Sequence, residues 1–146
     1  MARIVIVDDK LPMAETFADG LTDRGFEARA VGSAREALAM LADTDVLVTD
    51  LRMPDLDGLS LVEQARATAP DVPVIVMTAY GAIDSAVESI RKGAFHYLTK
   101  PFKLDELIVF VERALSDRDL RRETVALRKS VLQRYSMPGL LGKSAA

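Results

Sequence analysis

Short apolar runs alternate along the chain with longer segments in which apolar residues recur at helical spacing. The runs are rich in Val and Ile, which favours buried strands, and they cover residues 3–7, 26–31, 46–49, 74–77 and 95–99. Parallel strands need long crossover connections, usually helices. The pattern therefore predicts a doubly wound α/β domain with a five-stranded parallel sheet.

Capping residues and apolar periodicity define the five helices between these strands. Helix one is predicted over 11–24 before Gly25, and Ser33 with Glu36 forms a capping-box pattern for helix two. Helix three is expected over about 59–68. Helix four carries Ile83, Ala86, Val87 and Ile90 on one side, and helix five has an inward stripe of Leu104, Leu107, Ile108, Val111 and Leu115.

Helix five shows no stop signal before Arg118, and a different pattern follows. Leu120, Thr124, Leu127 and Val131 recur at spacings of four and three, a short heptad seam that predicts a modest dimer. Acidic residues interrupt the basic residues here, so a solvated helix face is favoured over a nucleic-acid patch.

Composition excludes several classes of function. The 146 residues, 49% of them hydrophobic, suffice for one core, and a net charge of −3 argues against direct nucleic-acid contact. With no Cys and only one His, disulfides, thiolate metal sites and multi-histidine zinc sites are excluded. No run is long enough for a signal-peptide core or a membrane span, so we predict a cytoplasmic protein without membrane contact.

Charged and hydroxyl side chains stand at the ends of four predicted strands: Asp8 and Asp9, Asp50, Thr78, and Lys100. Ligands of open α/β sheets bind beyond the carboxyl ends of the strands where the strand order reverses, here expected between strands one and three. Three crowded carboxylates call for a hard cation, and Mg²⁺ fits this donor set.

With Mg²⁺ present, Asp50 is the expected nucleophile toward phosphorus, with Lys100 and the Thr78 hydroxyl contacting phosphoryl oxygens. Structural alternatives exist for each residue. Lys100 can be an exposed lysine, Thr78 a loop-entry residue, and Asp8 with Asp9 a helix cap.

The motifs V-D-D at 7–9, D-L-R-M-P-D-L-D-G at 50–58, T-A at 78–79 and K-P-F at 100–102 resemble those of response-regulator receiver domains of two-component systems. The resemblance covers residues 1 to about 118. It implies that Asp50 accepts a phosphoryl group from a phosphohistidine of a sensor histidine kinase. It also implies a Mg²⁺ site of Asp8, Asp9, Asp50 and the Arg52 backbone carbonyl, and a regulatory rather than an enzymatic role.

The same resemblance assigns the conformational switch to Thr78 and Tyr97. It implies an output surface on helix four, strand five and helix five, a cis Lys100–Pro101 bond, and a sheet of the flavodoxin-like order 2-1-3-4-5. Arg52 and Tyr80 flank the acceptor in this family. The alternative for Tyr97 is an edge-strand aromatic with its hydroxyl in water, and we interpret His96 as a surface residue without a catalytic role.

Among receivers, T-A-Y-G at 78–81 and G-A-F-H-Y-L-T-K-P-F at 93–102 are similar to those of nitrogen-regulatory transcription activators, which carry an ATPase domain after the receiver. Residues 140–144 resemble the opening of that domain. The expected organisation is a receiver at 1–118, a dimerising linker helix at 119–136 and the start of the ATPase domain at 137–146. Phosphorylation is expected to change how two copies pack through helices four and five and the linker.

Two other classes of protein use similar features but need residues that this chain lacks. A haloacid-dehalogenase-type phosphatase needs a second Asp two residues after the nucleophile, where this chain has Arg52. A flavodoxin-like cofactor binder needs a phosphate-binding loop after strand one, where this chain has Asp-Asp-Lys. A stand-alone receiver remains the main alternative, distinguished by whether the native chain continues past Ala146.

Overall fold

The computed structural model describes residues 1–53, 55–79 and 82–135. The expectations for Tyr80 and for residues 136–146 lie outside the described residues. Strands and helices alternate in the order β1 (Arg3–Val7), α1 (Leu11–Asp23), β2 (Glu27–Val31), α2 (Ala34–Ala39), β3 (Val46–Asp50), α3 (Gly58–Thr68), β4 (Val74–Ala79), α4 (Ile83–Arg91), β5 (His96–Lys100) and α5 (Leu104–Tyr135). A 3₁₀ turn at Leu41–Asp43 follows α2.

All five strands form one parallel sheet of order β2-β1-β3-β4-β5. This confirms the predicted fold class and strand order. The order reverses between β1 and β3, the position where ligands of open α/β sheets bind. Strands β3, β4 and β5 run further than predicted and include Asp50, Thr78 and Lys100 themselves, because each of these residues still pairs with the neighbouring strand.

Alternate residues along each strand enter two apolar clusters, one on each face of the sheet. Val5, Val7, Leu47 and Val76 pack on one face with Leu61, Val62 and other buried residues of α2 and α3. Ile4, Ile6, Val48 and Met77 pack on the other face with Leu21, Leu107, Val111 and other residues of α1 and α5. A sheet covered on both faces explains why its strands read as continuous apolar runs.

Helix α4 is only partly covered. Ala86 and Ser89 are buried, whereas Ile83, Val87 and Ile90 are 64%, 44% and 40% exposed. The apolar side predicted for this helix is therefore largely exposed, because the sheet covers only the small residues facing it.

Helix α5 continues without interruption from Leu104 to Tyr135, which confirms the absence of a stop signal at Arg118. Leu120 and Leu127, two positions of the predicted seam, are 62% and 60% exposed. Among the described residues, no helix combines the length and apolar character that crossing a membrane requires.

Candidate functional site

Three aspartates meet at the carboxyl edge of the sheet. Asp8 and Asp9 follow β1, and Asp50 is the last residue of the adjacent strand β3. One carboxylate oxygen of each lies within 4.8 Å of the others. Asp8 is buried, Asp50 is half-buried and Asp9 is exposed. The structure thus brings together the three acids that the sequence placed at one sheet edge.

Lys100, the last residue of β5, reaches into this cluster. Its Nζ donates one hydrogen bond to Asp8 Oδ2 and another to Asp50 Oδ2, each 2.9 Å long. Burial acts to lower the pKa of Lys100, but the hydrogen bonds and charges of Asp8 and Asp50 outweigh it, so the pKa is raised above 10.5. Lys100 therefore remains a cation between two carboxylates, and the alternative of a simply exposed lysine is wrong.

The second oxygen of each of these carboxylates is held by the backbone. Asp50 Oδ1 accepts a hydrogen bond from the Arg52 N–H (3.1 Å), and Asp8 Oδ1 accepts one from the Lys10 N–H (2.9 Å). Both carboxylates are consequently fixed in orientation before any ligand arrives.

A cavity of about 410 Å³ opens beside Asp50. Its polar and charged lining residues are Asp9, Lys10, Asp50, Arg52, Asp57, Thr78, Ser85 and Lys100. Thr78 lines this cavity and is 3% exposed, and its hydroxyl donates to the Ala79 carbonyl at 3.1 Å. The Thr78 hydroxyl thus lies beside the acidic cluster but is hydrogen-bonded to a carbonyl of its own strand. Ser85, on α4, was not singled out from the sequence, since no motif there distinguishes it.

His96 and Tyr97, on edge strand β5, are both half-buried. Tyr97 packs against the apolar cluster on the α2 and α3 face. His96 Nδ1 accepts a hydrogen bond from the Tyr97 N–H (2.8 Å), and its ring lies 4.3 Å from that of Phe110. His96 is thus partly covered, because Phe110 of α5 packs against its ring. The Lys100–Pro101 bond is cis, as the family resemblance implied.

The loop after Asp50 is anchored by residues whose roles the sequence analysis did not assign. Asp57 caps α3 by accepting from the Leu59 N–H, and the Gly58 N–H donates to the Leu51 carbonyl at 3.0 Å. An Asp just before a helix is a recognisable capping signal. Asp55 accepts from the N–H groups of Ala34 and Arg35, and no local pattern reveals this contact with a segment 20 residues earlier.

Hydrogen bonding also lowers the pKa of Asp55. Desolvation acts to raise its pKa, but the two backbone N–H groups and the Arg35 side chain outweigh this effect and lower the pKa below 3.8. Asp55 is therefore ionised at neutral pH, the form that accepts two hydrogen bonds.

The donor set suits a hard divalent cation. Three carboxylates with oxygens within 4.8 Å supply the anionic oxygen ligands that Mg²⁺ prefers, and the groups are close enough for one ion to contact several of them. The aspartate cluster could therefore hold a metal ion at the edge of the cavity.

The sheet order and the acidic site together define the receiver class of signalling domains. The profile of the response regulator receiver domain family matches residues 4–112, and the chain belongs to this family. It is similar to the regulatory protein AtoC of Escherichia coli, with 37% identity over 146 residues, 99% of this chain and 32% of AtoC. It is 42% identical to the transcriptional regulator NtrC of Salmonella typhimurium over 113 residues, 76% of this chain and 24% of NtrC.

Solved structures of receiver-containing proteins have the same fold as this chain. NtrX from Brucella abortus in complex with ATP superimposes with a TM-score of 0.81 at 37% identity, covering 86% of this chain and 29% of NtrX. A response regulator receiver domain protein from Clostridium thermocellum superimposes with a TM-score of 0.78 at 28% identity, covering 82% of this chain and 98% of that protein. The chain spans about a third of the length of the curated relatives it matches.

Proposed function

We propose that this chain is a phosphorylation switch in which Asp50 accepts a phosphoryl group from a sensor histidine kinase and thereby regulates a downstream ATPase domain. The observation that carries the proposal is the placement of Lys100 Nζ, 2.9 Å from both Asp8 and Asp50, within a cluster of three aspartates beside an open cavity. Family membership supports the same roles.

Asp50 is the best placed nucleophile of the three acids. Its side chain is 13% exposed and lines the cavity, whereas the side chain of Asp8 is 1% exposed and is not part of the cavity wall. Asp9 lines the cavity too, but it is exposed and lies outside the contact with Lys100. Asp50 alone combines access, a fixed orientation and a neighbouring cation.

In the proposed transfer, an Asp50 carboxylate oxygen forms a bond to phosphorus as the bond between phosphorus and the histidine nitrogen of the kinase breaks. The imidazole nitrogen keeps the bonding electron pair and takes up a proton. Asp8, Asp9, Asp50 and the Arg52 carbonyl would hold Mg²⁺, which neutralises charge on the phosphoryl oxygens when bound.

Lys100 and Thr78 would then respond to the new anion. Phosphorylation removes the charge of the Asp50 carboxylate that Lys100 contacts and adds a phosphoryl group with anionic oxygens, so Lys100 keeps an anionic partner. The Thr78 hydroxyl has only its bond to the Ala79 carbonyl to give up before it can donate to a phosphoryl oxygen. In the receiver family this movement is followed by an inward turn of the tyrosine at the position of Tyr97, which here lies on edge strand β5 and packs against the apolar cluster on the α2 and α3 face.

The output would pass to a second copy and to the downstream domain. Exposed Ile83, Val87 and Ile90 on α4, and exposed Leu120 and Leu127 on α5, supply apolar area for a homodimer. The relatives NtrC and AtoC are named as regulators, and each is about three times as long as this chain. These facts support a linker helix at 119–136 that reports the receiver state to an ATPase domain.

The acceptor can be tested by intact mass after incubation with acetyl phosphate, with and without Mg²⁺. We expect the wild type to gain one phosphoryl group only with Mg²⁺ and Asp50→Ala to gain none. Asp43→Ala, at an exposed aspartate beside the opposite edge of the sheet, is the matched control and should behave as the wild type. An equal gain in Asp50→Ala would refute the assignment of the acceptor.

A further inference from the structure

We propose that Asp55 is a positioning residue for the metal site, because its carboxylate fastens the acceptor loop to helix α2 and so holds the Arg52 carbonyl in place for Mg²⁺. The inference rests on the proposed function, since it takes the Arg52 carbonyl as a ligand. The inference adds to the metal site a residue that lies outside the acidic cluster.

Asp55 binds α2 through both carboxylate oxygens. Oδ1 accepts from the Ala34 N–H at 3.2 Å, and Oδ2 accepts from the Arg35 N–H at 3.1 Å. Ser33 Oγ accepts from the next N–H group, that of Glu36, at 3.2 Å. The start of α2 therefore has two separate caps, of which only Asp55 comes from the acceptor loop.

Asp55 lies in the same loop as Arg52, so its contact with α2 affects how the Arg52 carbonyl is held. The loop closes at its base through the Gly58 N–H and the Leu51 carbonyl. At the start of the loop the Arg52 N–H is held by Asp50 Oδ1, and among the described loop residues Asp55 is the next whose side chain is hydrogen-bonded. The Arg52 carbonyl thus lies between the Arg52 N–H, which the Asp50 carboxylate holds, and Asp55, three residues further along the chain.

Fixing the chain on both sides of the Arg52 carbonyl limits the orientations open to that carbonyl. Without Asp55, the described part of the loop would keep the apolar packing of Met53 and Leu56 and the hydrogen bonds at Asp57 and Gly58. It would lose its hydrogen bonds to α2, and the Arg52 carbonyl would sample more orientations. Groups that orient metal ligands typically change metal affinity by about 10–100-fold when removed. We expect the lower end of this range, because Asp55 acts through the backbone on a single ligand.

Ser33→Ala is a matched control, since it removes the other cap of the same helix and leaves the loop contacts intact. The test is Mg²⁺ titration followed by amide NMR shifts, together with thermal unfolding without Mg²⁺, for the wild type, Asp55→Ala, Asp55→Asn and Ser33→Ala. We expect both alanine variants to lower the unfolding temperature similarly, and only Asp55→Ala to raise the Mg²⁺ dissociation constant, by about tenfold. Asp55→Asn, which retains one acceptor oxygen, should give an intermediate constant.

In the acetyl phosphate reaction, Asp55→Ala should shift the Mg²⁺ midpoint upward while the rate at saturating Mg²⁺ stays near that of the wild type. Equal Mg²⁺ affinity in Asp55→Ala, Asp55→Asn and the wild type would overturn the positioning role, as would an equal loss in Ser33→Ala. A wild type that binds no Mg²⁺ would instead contradict the proposed function itself, so the two failures are distinguishable.

Discussion

Arg118, in the middle of α5, donates a hydrogen bond to Asp45, the residue directly before β3. The two side chains are only 12% and 18% exposed, and Asp45 also accepts from the Arg3 N–H at 2.7 Å. Strand β3 therefore has the contact with α5 just before its first residue and Asp50 as its last residue. This pair ties the middle of α5 to the start of β3.

Breaking the Asp45–Arg118 pair should destabilise the fold and increase local opening of α5 around Arg118. Asp45→Ala removes the mostly buried acceptor of both Arg118 and the Arg3 N–H and leaves the Arg118 guanidinium with the exposed Asp119, so the free energy of unfolding should fall by about 2 kcal/mol. Amide exchange near Arg118 should also accelerate. The control is Asp71→Ala, which removes the exposed pair with Arg122, separated by 3.9 Å, and should change stability by less than about 0.5 kcal/mol. Equal effects of the two substitutions would show that Arg118 has no special role.

Lys100 should make the free energy of unfolding depend on pH in the alkaline range. Its folded pKa is raised above 10.5, so its contribution is fully present below pH 10.5 and is lost as the pH rises through the folded pKa. Lys100→Met should therefore be less stable than the wild type by about 2 kcal/mol at pH 7. This difference should shrink above pH 10.5 in urea unfolding.

Lys103→Met, at an exposed lysine three residues later, is the control and should differ little from the wild type at any of these pH values. A Lys100→Met difference that stayed constant through the alkaline range would mean that the ion pairs with Asp8 and Asp50 do not stabilise the fold.

Gly58 cannot carry a side chain without moving the acceptor strand. A Cβ there would overlap the Leu51 Cα and lie 2.8 Å from the Asp50 carbonyl oxygen, and both of these are backbone atoms. Gly58→Ala should cost about 1–3 kcal/mol of stability and slow the phosphorylation of Asp50, as measured by urea unfolding and intact mass. Gly32→Ala, where a Cβ meets nothing within 4 Å, should have little effect on either quantity. Wild-type behaviour of Gly58→Ala would argue against this close packing.

The exposed leucines of α5 should determine self-association. Replacing Leu120 and Leu127 with Ser removes apolar area that is already exposed in one copy, so monomer stability should change little. The dimer dissociation constant should rise by at least about tenfold in sedimentation equilibrium. Leu11→Ser, at a 37% exposed leucine of α1, serves as the control. Unchanged association in the double variant would exclude the linker seam as the dimer contact.

The strands and the chemical character of their ends were readable from local sequence. Apolar runs predict buried strands because side chains alternate between two covered faces, and Asp8, Asp50 and Lys100 each interrupt such a run. Parallel strands point their carboxyl ends in one direction, so the shared edge followed from the fold class alone. The continuation of α5 past Arg118 likewise followed from the absence of a stop signal.

Contacts between distant segments were decided only by the tertiary structure. Lys100 lies 92 and 50 residues from the two carboxylates it contacts, Asp55 caps a helix 20 residues earlier, and Arg118 pairs with Asp45 across 73 residues. Local periodicity shows which side of a helix is apolar, but not whether a neighbour covers it, as α4 demonstrates. Each of these features depends on the relative placement of whole elements, which the sheet order and the packing of helices on its two faces determine.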